Sequence, residues 1–360
     1  MTGPLGIWQH AVGPVPDHAF GYCTDDVARA LLVDLAHAPE VGWGAVEESA
    51  WRSLRFLGAA LDPADQRFRN FRGADKGWAM GKPSEDSQGR ALLTLGIALG
   101  QDVDPHLGNR ARDLFAAALP GVDRLRALRA MASSSLGCVA ALDSGALDGS
   151  LHAETEAALA QLASRLRDAF AATGDHGSDW PWPEPVLTYE NALLPRALIV
   201  AGRRLGDARL ERHGLETLDW LIAVQAGDEG VFSPIGNDGW WPRDGRRSQF
   251  DQQPIEATAM ILACEAALTV SSEPRYREAA ERAYGWFLGD NDVGLPVAIP
   301  ASGACQDGLE PHGVNLNQGA ESTLMWLTAL EHMRTLRQSA TTMPPAAAQD
   351  RVLAVPAGRG

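Results

Sequence analysis

The chain has 360 residues, is 45% hydrophobic and 21% charged, and carries a formal net charge of −15. That length accommodates one large domain or two modest ones with ample apolar material for a core, and the balance predicts a soluble globular protein. The acidic field excludes nucleic acid and anionic membrane as partners, because no Lys/Arg block offsets it, and favours a neutral or cationic small ligand.

The first twenty residues, MTGPLGIWQHAVGPVPDHAF, lack a basic segment followed by a long apolar run, and no stretch of about 18 apolar residues occurs later. A cytoplasmic protein that does not span a membrane is expected. The four cysteines, Cys23, Cys138, Cys264 and Cys305, form no CxxC pair and no zinc-like Cys/His spacing, so they are read as reduced thiols. HExxH, GxSxG, Walker and strand-linked GxGxxG motifs are missing, and GDNDVG and GNDG lack EF-hand spacing, so no metal or cofactor is implied.

From Gly21 onward, Ala/Leu-rich segments with helical periodicity follow one another, with almost no alternating strands. A short theme recurs in them: Arg29-Ala30-Leu31, Arg90-Ala91-Leu92, Arg126-Ala127-Leu128 and Arg196-Ala197-Leu198, with looser copies at Thr258-Ala259-Met260 and Ser322-Thr323-Leu324. Between them lie more polar amphipathic segments, roughly 46–61, 107–119, 152–172, 209–225 and 274–288. A period near 60 residues is one long helical hairpin with its loops, which predicts an all-α, (α/α)6 toroid with long loops on one rim. No opening helix is visible before Gly21, so the first hairpin is expected to be incomplete. Residues 1–337 read as a single domain and 338–360, rich in Ala, Pro and Gly, as a disordered tail.

Candidate site residues cluster where the inner helices begin. Asp25 and Asp26 open the first, and Glu85 and Asp86 the second. First-turn acids are favoured by the helix dipole and by capping. Asp25 stands four residues before Arg29, as Asp86 does before Arg90, so these two are expected to form ion pairs, leaving Asp26 and Glu85 free. Tyr189, Glu190 and Asn191 open the fourth inner helix, Asp251, Gln252, Gln253 and Glu256 the fifth, and Asn317, Gln318 and Glu321 the sixth. Every inner helix except the third thus begins with an acid. Tyr22, Trp180, Trp182, Trp240 and Trp241 lie in predicted loops or at helix starts, with Glu184 and His312 beside other connections. By contrast Trp51, Trp220, Trp286 and Trp326 fall within helices and read as core. A sugar site needs flat rings to stack on pyranose faces, amides and acids to bind hydroxyls, and two carboxyl groups for proton transfer.

The strings GIWQHAV (6–12), GYCTDDVARAL (21–31), RFRNF (67–71), SEDSQGRAL (84–92), DWPWPEPVLTYENALLPRAL (179–198), FSPIGNDGWW (232–241), FDQQPIEATAM (250–260), WFLGDND (286–292) and DGLEPHGVNLNQGAESTLMWL (307–327) resemble a bacterial six-hairpin glycosidase-like family. Its members occur alone or fused behind a glycosyltransferase domain. The resemblance, spanning about residues 6–335, implies an (α/α)6 toroid, a role in carbohydrate metabolism with a lean toward mannosides, and a glycosyltransferase domain or protein as partner. It transfers no catalytic assignment. Many relatives carry Asn at the position of Val27 and a Phe-Glu-Asp-like run at Pro183-Glu184-Pro185, which leaves Glu184 as the local carboxylate here.

These readings converge on a glycoside hydrolase for a small mannose- or glucose-containing oligosaccharide, with Asp26 and either Glu190 or Glu256 as acid and base. Inversion would need the pair about 6.5–9.5 Å apart. Sugar 2-epimerases share the toroid but work through paired histidines on inner helices, which this sequence lacks. A third reading is a non-catalytic glycan-binding companion of a glycosyltransferase.

Overall fold

The helical periodicity resolves into eleven α-helices among the described residues of a computed structural model, which are 1–80, 84–173 and 179–342. The helices are α1 (Thr24–Val41), α2 (Trp43–Ala60), α3 (Glu85–Ala98), α4 (Pro105–Ala118), α5 (Leu128–Asp143), α6 (Gly149–Thr173), α7 (Leu193–Leu205), α8 (Ala208–Val224), α9 (Pro254–Val270), α10 (Pro274–Leu288) and α11 (Ala320–Thr342). The odd-numbered helices form a closed inner ring, α11 packing back on α1, and each even-numbered helix packs outside the one before it. This is the (α/α)6 toroid, and the five polar segments named from sequence are its outer helices.

Two details differ from expectation. The first hairpin is complete, because α1 packs on α2; it is α11 that has no following outer helix among the described residues. The short strand Ala304–Cys305, paired with Ala298–Ile299, packs against α11, and Cys305 donates its N–H to Thr323 Oγ1 at 3.4 Å. Helix α11 also runs to Thr342, five residues past the expected domain end; the rest of the proposed tail lies outside the described residues.

Local chemistry sets the helix ends. Asp104 caps α4 through the N–H groups of His106 and Leu107 with Pro105 at the first position, and Asp207 caps α8 in the same way. Helix α7 stops at Gly206, whose left-handed backbone no β-branched residue would adopt readily. The closest approach in the ring is the α3–α5 seam. A Cβ added at Gly96 would lie 2.1 Å from the Gly137 carbonyl oxygen, and one at Gly137 would lie 2.5 Å from that of Leu92. Glycine is tolerated inside these helices because backbone meets backbone there.

The connections carry only two- and three-residue strands, all in antiparallel pairs. They gather at the end where the inner helices begin, and so build one elaborated rim. No helix among the described residues is long and apolar enough to cross a membrane. All four cysteines are free and buried.

Candidate active site

The recurring arginines organise the rim. Arg29 Nη1 donates to Asp26 Oδ1 at 2.9 Å, and its Nη2 reaches Glu321 Oε2 at 2.8 Å, tying α1 to α11. Arg90 holds both oxygens of Glu190 and lies 3.5 Å from Asp25 Oδ2, tying α3 to α1 and to the start of α7. The third inner helix uses Arg129, not Arg126. Arg129 donates to Glu184 at 2.8 and 3.1 Å, to Asn191 Oδ1 at 3.3 Å and to the Tyr189 carbonyl, and its guanidinium sits 4.6 Å from the Tyr189 ring centre. Arg126 lies in the preceding loop, bound to local carbonyls. The expected Asp25–Arg29 and Asp86–Arg90 pairs are therefore replaced. A helix turn brings Arg29 over Asp26, while Asp25 turns toward the neighbouring helix, and Asp86 accepts from Tyr189 Oη at 2.6 Å.

Glu85 is not free either. Its Oε2 accepts from the N–H groups of Arg126 and Ala127 at 2.5 and 2.7 Å, so the inner helix that lacks its own acid receives one from α3. Glu256 does the same for α7: it accepts from the N–H groups of Glu190 and Asn191 and from Asn191 Nδ2.

A polar pocket of about 500 Å³ opens at this rim. Asp25, Asp26, Arg29, Ser84 and Asp86 line it from α1 and the start of α3, Glu321 and Ser322 from α11, and Asp251 and Gln253 from the approach to α9. Loops add Gln9, His10, Asn70, Asp307 and Asn315. Most of its acids are already engaged, Asp307 by the Gly319 N–H at 2.7 Å. Asp25 Oδ1 is the exception. It is buried and has no hydrogen-bond partner among the described residues.

Titration behaviour differs around the ring. Burial pushes Asp26 up to about 7 against the pull of Arg29, and pushes Glu256 up to about 7 against the N–H groups that cap onto it. Burial also works to raise Glu190, but Arg90 overrides it and holds that carboxyl below its ordinary value. Asp251 is raised by burial and by the nearby Glu310. Glu190, Trp240 and Asp251 all adopt positive φ (49°, 57° and 57°), a strained conformation for such residues.

The remaining predicted residues divide clearly. Gln253, Glu321, Asp86, Asp25 and Asp26 line the rim pocket, whereas Glu190 lines a separate cavity beneath it and Glu256 lies buried behind the start of α7. Trp180, Trp182 and Trp241 pack with Trp220 and Phe170 in an aromatic cluster, with Trp180 Nε1 donating to the Glu184 carbonyl, so they do not line the pocket. Tyr22 is buried and stacks on Trp8 at 4.2 Å. Asn191 bridges Glu256 and the Thr188 carbonyl, and Gln252 bridges Trp286, the Gln249 carbonyl and Asp292; both are buried. Asn317 Oδ1 accepts from the Gly13 N–H, and the Gln318 N–H donates to the Gly13 carbonyl, which fixes the N-terminal loop. His312 is exposed at the turn between Gly308–Glu310 and Gly313–Asn315. Trp240, 6.5 Å from Tyr189, lines an adjoining recess of about 820 Å³ with Arg246, Arg247, Phe250 and Asp292.

Sequence reasoning missed Asp307 and Asn70 as pocket residues, and had Asp251 only as the first residue of the run that opens the fifth inner helix. Asn70 accepts from Ser87 Oγ, and its carbonyl binds Thr24, so it joins the first two inner helices. Their signal was position alone: Asn70 and Asp307 each directly precede a short strand, and Asp251 precedes Gln252, which forms a single β-bridge to Leu309. Among the described residues no three His, Cys, Asp or Glu side chains are grouped to hold a metal ion.

No protein-family model matches the chain, and no curated protein sequence matches it. Solved structures do. The cellobiose 2-epimerase from Spirochaeta thermophila superposes with a TM-score of 0.68 at 14% identity, covering 94% of this chain and 92% of that one. A D-mannose isomerase gives 0.68 at 9% identity, covering 93% of each chain. The GH76 α-mannanase from Bacteroides thetaiotaomicron gives 0.60 at 9% identity, covering 88% and 87%. At such identities the likeness establishes the toroid fold.

Proposed function

We propose that the protein is a carbohydrate-active enzyme, a glycoside hydrolase acting on a small mannose- or glucose-containing oligosaccharide. The observation that carries this reading is the rim pocket. Its volume falls in the range of about 300–1,000 Å³ usual for small-ligand sites, and one of its carboxylate oxygens, Asp25 Oδ1, is buried without a partner. In this scheme Asp25, oriented by Arg90, activates a water, and Asp251, whose pKa burial raises, protonates the leaving oxygen. Asp26 stays beside them, held by Arg29, and Glu190 positions Arg90 from below. Gln253, Asn70 and Asn315 supply hydrogen bonds to hydroxyls.

The test is time-resolved proton NMR of the purified protein with manno- and gluco-oligosaccharides. New reducing-end signals are expected, with turnover reduced at least about a hundredfold in Asp25→Asn and in Asp251→Asn. A 2-epimer formed without chain cleavage would overturn hydrolysis in favour of isomerisation, for which His10 is the pocket's histidine. A second reading, a glycan-binding companion of a glycosyltransferase, is favoured by one observation: Asp26, Asp86, Asp307 and Glu321 are already bound within the protein. It predicts line broadening of a sugar that is lost in Asp25→Asn, with no turnover.

A further inference from the structure

Beneath the rim pocket the inner helices enclose a second cavity of about 230 Å³. Arg29, Arg90 and Glu190 contribute to its lining, but each is committed to the ion pairs described above. Leu32, Leu35, Leu93, Ile97, Leu193 and Leu262 make most of the wall apolar. One cation remains. Arg196 on α7, the fourth arginine of the recurring theme, lines this cavity; its side chain forms no hydrogen bond or ion pair with any described residue, and its Nε is buried. Arg29, Arg90 and Arg129 each hold at least one carboxylate. The acids nearest Arg196 are taken: Glu190 by Arg90, and Glu265 by His332 Nδ1 at 2.7 Å. Burial accordingly lowers the pKa of this guanidinium.

Arg196 and Leu262 also line a recess of about 610 Å³ that runs along α7 to the opposite end of the toroid, between the end of α5 and the second half of α9. The other cations there are engaged, Arg203 with the Thr269 carbonyl and Arg204 with Asp143 at 3.0 Å. The cavity thus adjoins the face away from the carbohydrate-site candidate, and at the junction stands a half-buried, unpaired planar cation with an apolar chamber beside it.

We propose that Arg196 is the anchor of a second ligand site, which takes an oxoanion with a short aliphatic body from the face opposite the rim. The guanidinium binds the carboxylate or phosphate head in its planar fork, and the chain lies among Leu93, Ile97, Leu193 and Leu262. A free inorganic anion would leave those walls unfilled, and an uncharged alcohol would leave Arg196 unneutralised.

Thermal unfolding and calorimetry of the full chain with octanoate, octyl phosphate, octanol and inorganic phosphate test this. Octanoate, octyl phosphate or both are expected to raise Tm saturably and to bind with measurable heat, and the stronger of the two identifies the head group. Octanol and inorganic phosphate are expected to do neither. Arg196→Leu, which replaces an uncompensated cation by an apolar side chain, should fold with an unliganded Tm at or above that of the wild type and bind at least tenfold more weakly. Ile97→Trp fills the chamber while leaving Arg196 in place, and should also weaken binding tenfold. Absence of saturable binding by both oxoanions would overturn the proposal, as would equal binding by octanol or undiminished binding in Arg196→Leu. Equal binding by inorganic phosphate would overturn the apolar half of it.

Discussion

The two ends of the toroid are built from the same helices and have opposite chemistry. At the rim where inner helices begin, exposed N–H groups and the positive end of the helix dipole favour carboxylates, and every buried arginine that reaches that level is matched by at least one. Below that level the same ring is apolar, and Arg196, in the first turn of α7 but lining the chamber beneath, has no side-chain partner among the described residues. The difference teaches that a helix ring supplies an acidic, hydrogen-bonding mouth almost by construction, whereas an arginine that lines the apolar chamber beneath it is left without a counter-ion.

The comparison is broken most severely at Arg90. Arg90→Met removes the partner of Glu190 and of Asp25, both largely buried, and is expected to cost about 3–5 kcal/mol in urea unfolding. An intact protein with near wild-type stability would mean that the rim charges are not coupled through this arginine. Next comes the packing that holds the ring closed on its α3–α5 side. Gly96→Ala forces a Cβ into the backbone of α5 and is expected to cost about 1–3 kcal/mol with no change in the chemistry of the pocket. Glu85→Ala removes the cap lent to α5 and should cost about 1 kcal/mol, with Glu85→Gln recovering part of it.

The smallest effect is a pH slope. Asp26 and Glu256 sit at about 7 in the folded state and return to ordinary carboxylate values on unfolding, so the native state holds their protons more tightly. Their contribution to stability is complete below the unfolded values, about pH 4, and is lost as pH rises toward 7. Asp34, raised by burial to about 6, acts in the same direction. Glu190, held low by Arg90, acts oppositely but only below its ordinary range. The urea midpoint should therefore fall between pH 5 and 7.5, and fall less in Asp26→Asn. A midpoint rising over that interval would show that Arg29 outweighs the burial of Asp26.

Much of the architecture was legible because helical periodicity is a local property. The alternation of Ala/Leu-rich and amphipathic segments placed the five outer helices and the starts of five inner ones within a few residues, and the Arg-Ala-Leu theme located three inner helices at the right arginine. It failed in the third. Leu125-Arg126-Ala127-Leu128-Arg129-Ala130-Met131 contains two consecutive copies, and only the extended backbone at Leu125 and Ala127 decides that the helix begins at Leu128, so that Arg129 and not Arg126 is helical. The ion pairs failed for a related reason. An i,i+4 spacing says which side chains can meet along one helix, but in a ring the neighbouring helix offers a competing partner at equal distance. Glu190 outcompeted Asp86 for Arg90, and Glu321 joined Asp26 on Arg29. The loop tryptophans misled because Pro and Gly beside an aromatic signal a connection, not exposure; Trp180 and Trp182 come from a connection folded onto α8.

The amino-acid sequence by itself determined that the chain would form paired helices at a period near 60 residues and that acids would crowd the starts of the inner ones, because periodicity and first-turn charge act within a few residues. Which of those acids faces solvent, which caps a neighbouring helix and which arginine is left without a counter-ion was decided only when the ring closed. Those outcomes depend on competition between side chains as far apart as Arg29 and Glu321, and only the tertiary structure brings such competitors within reach of one another.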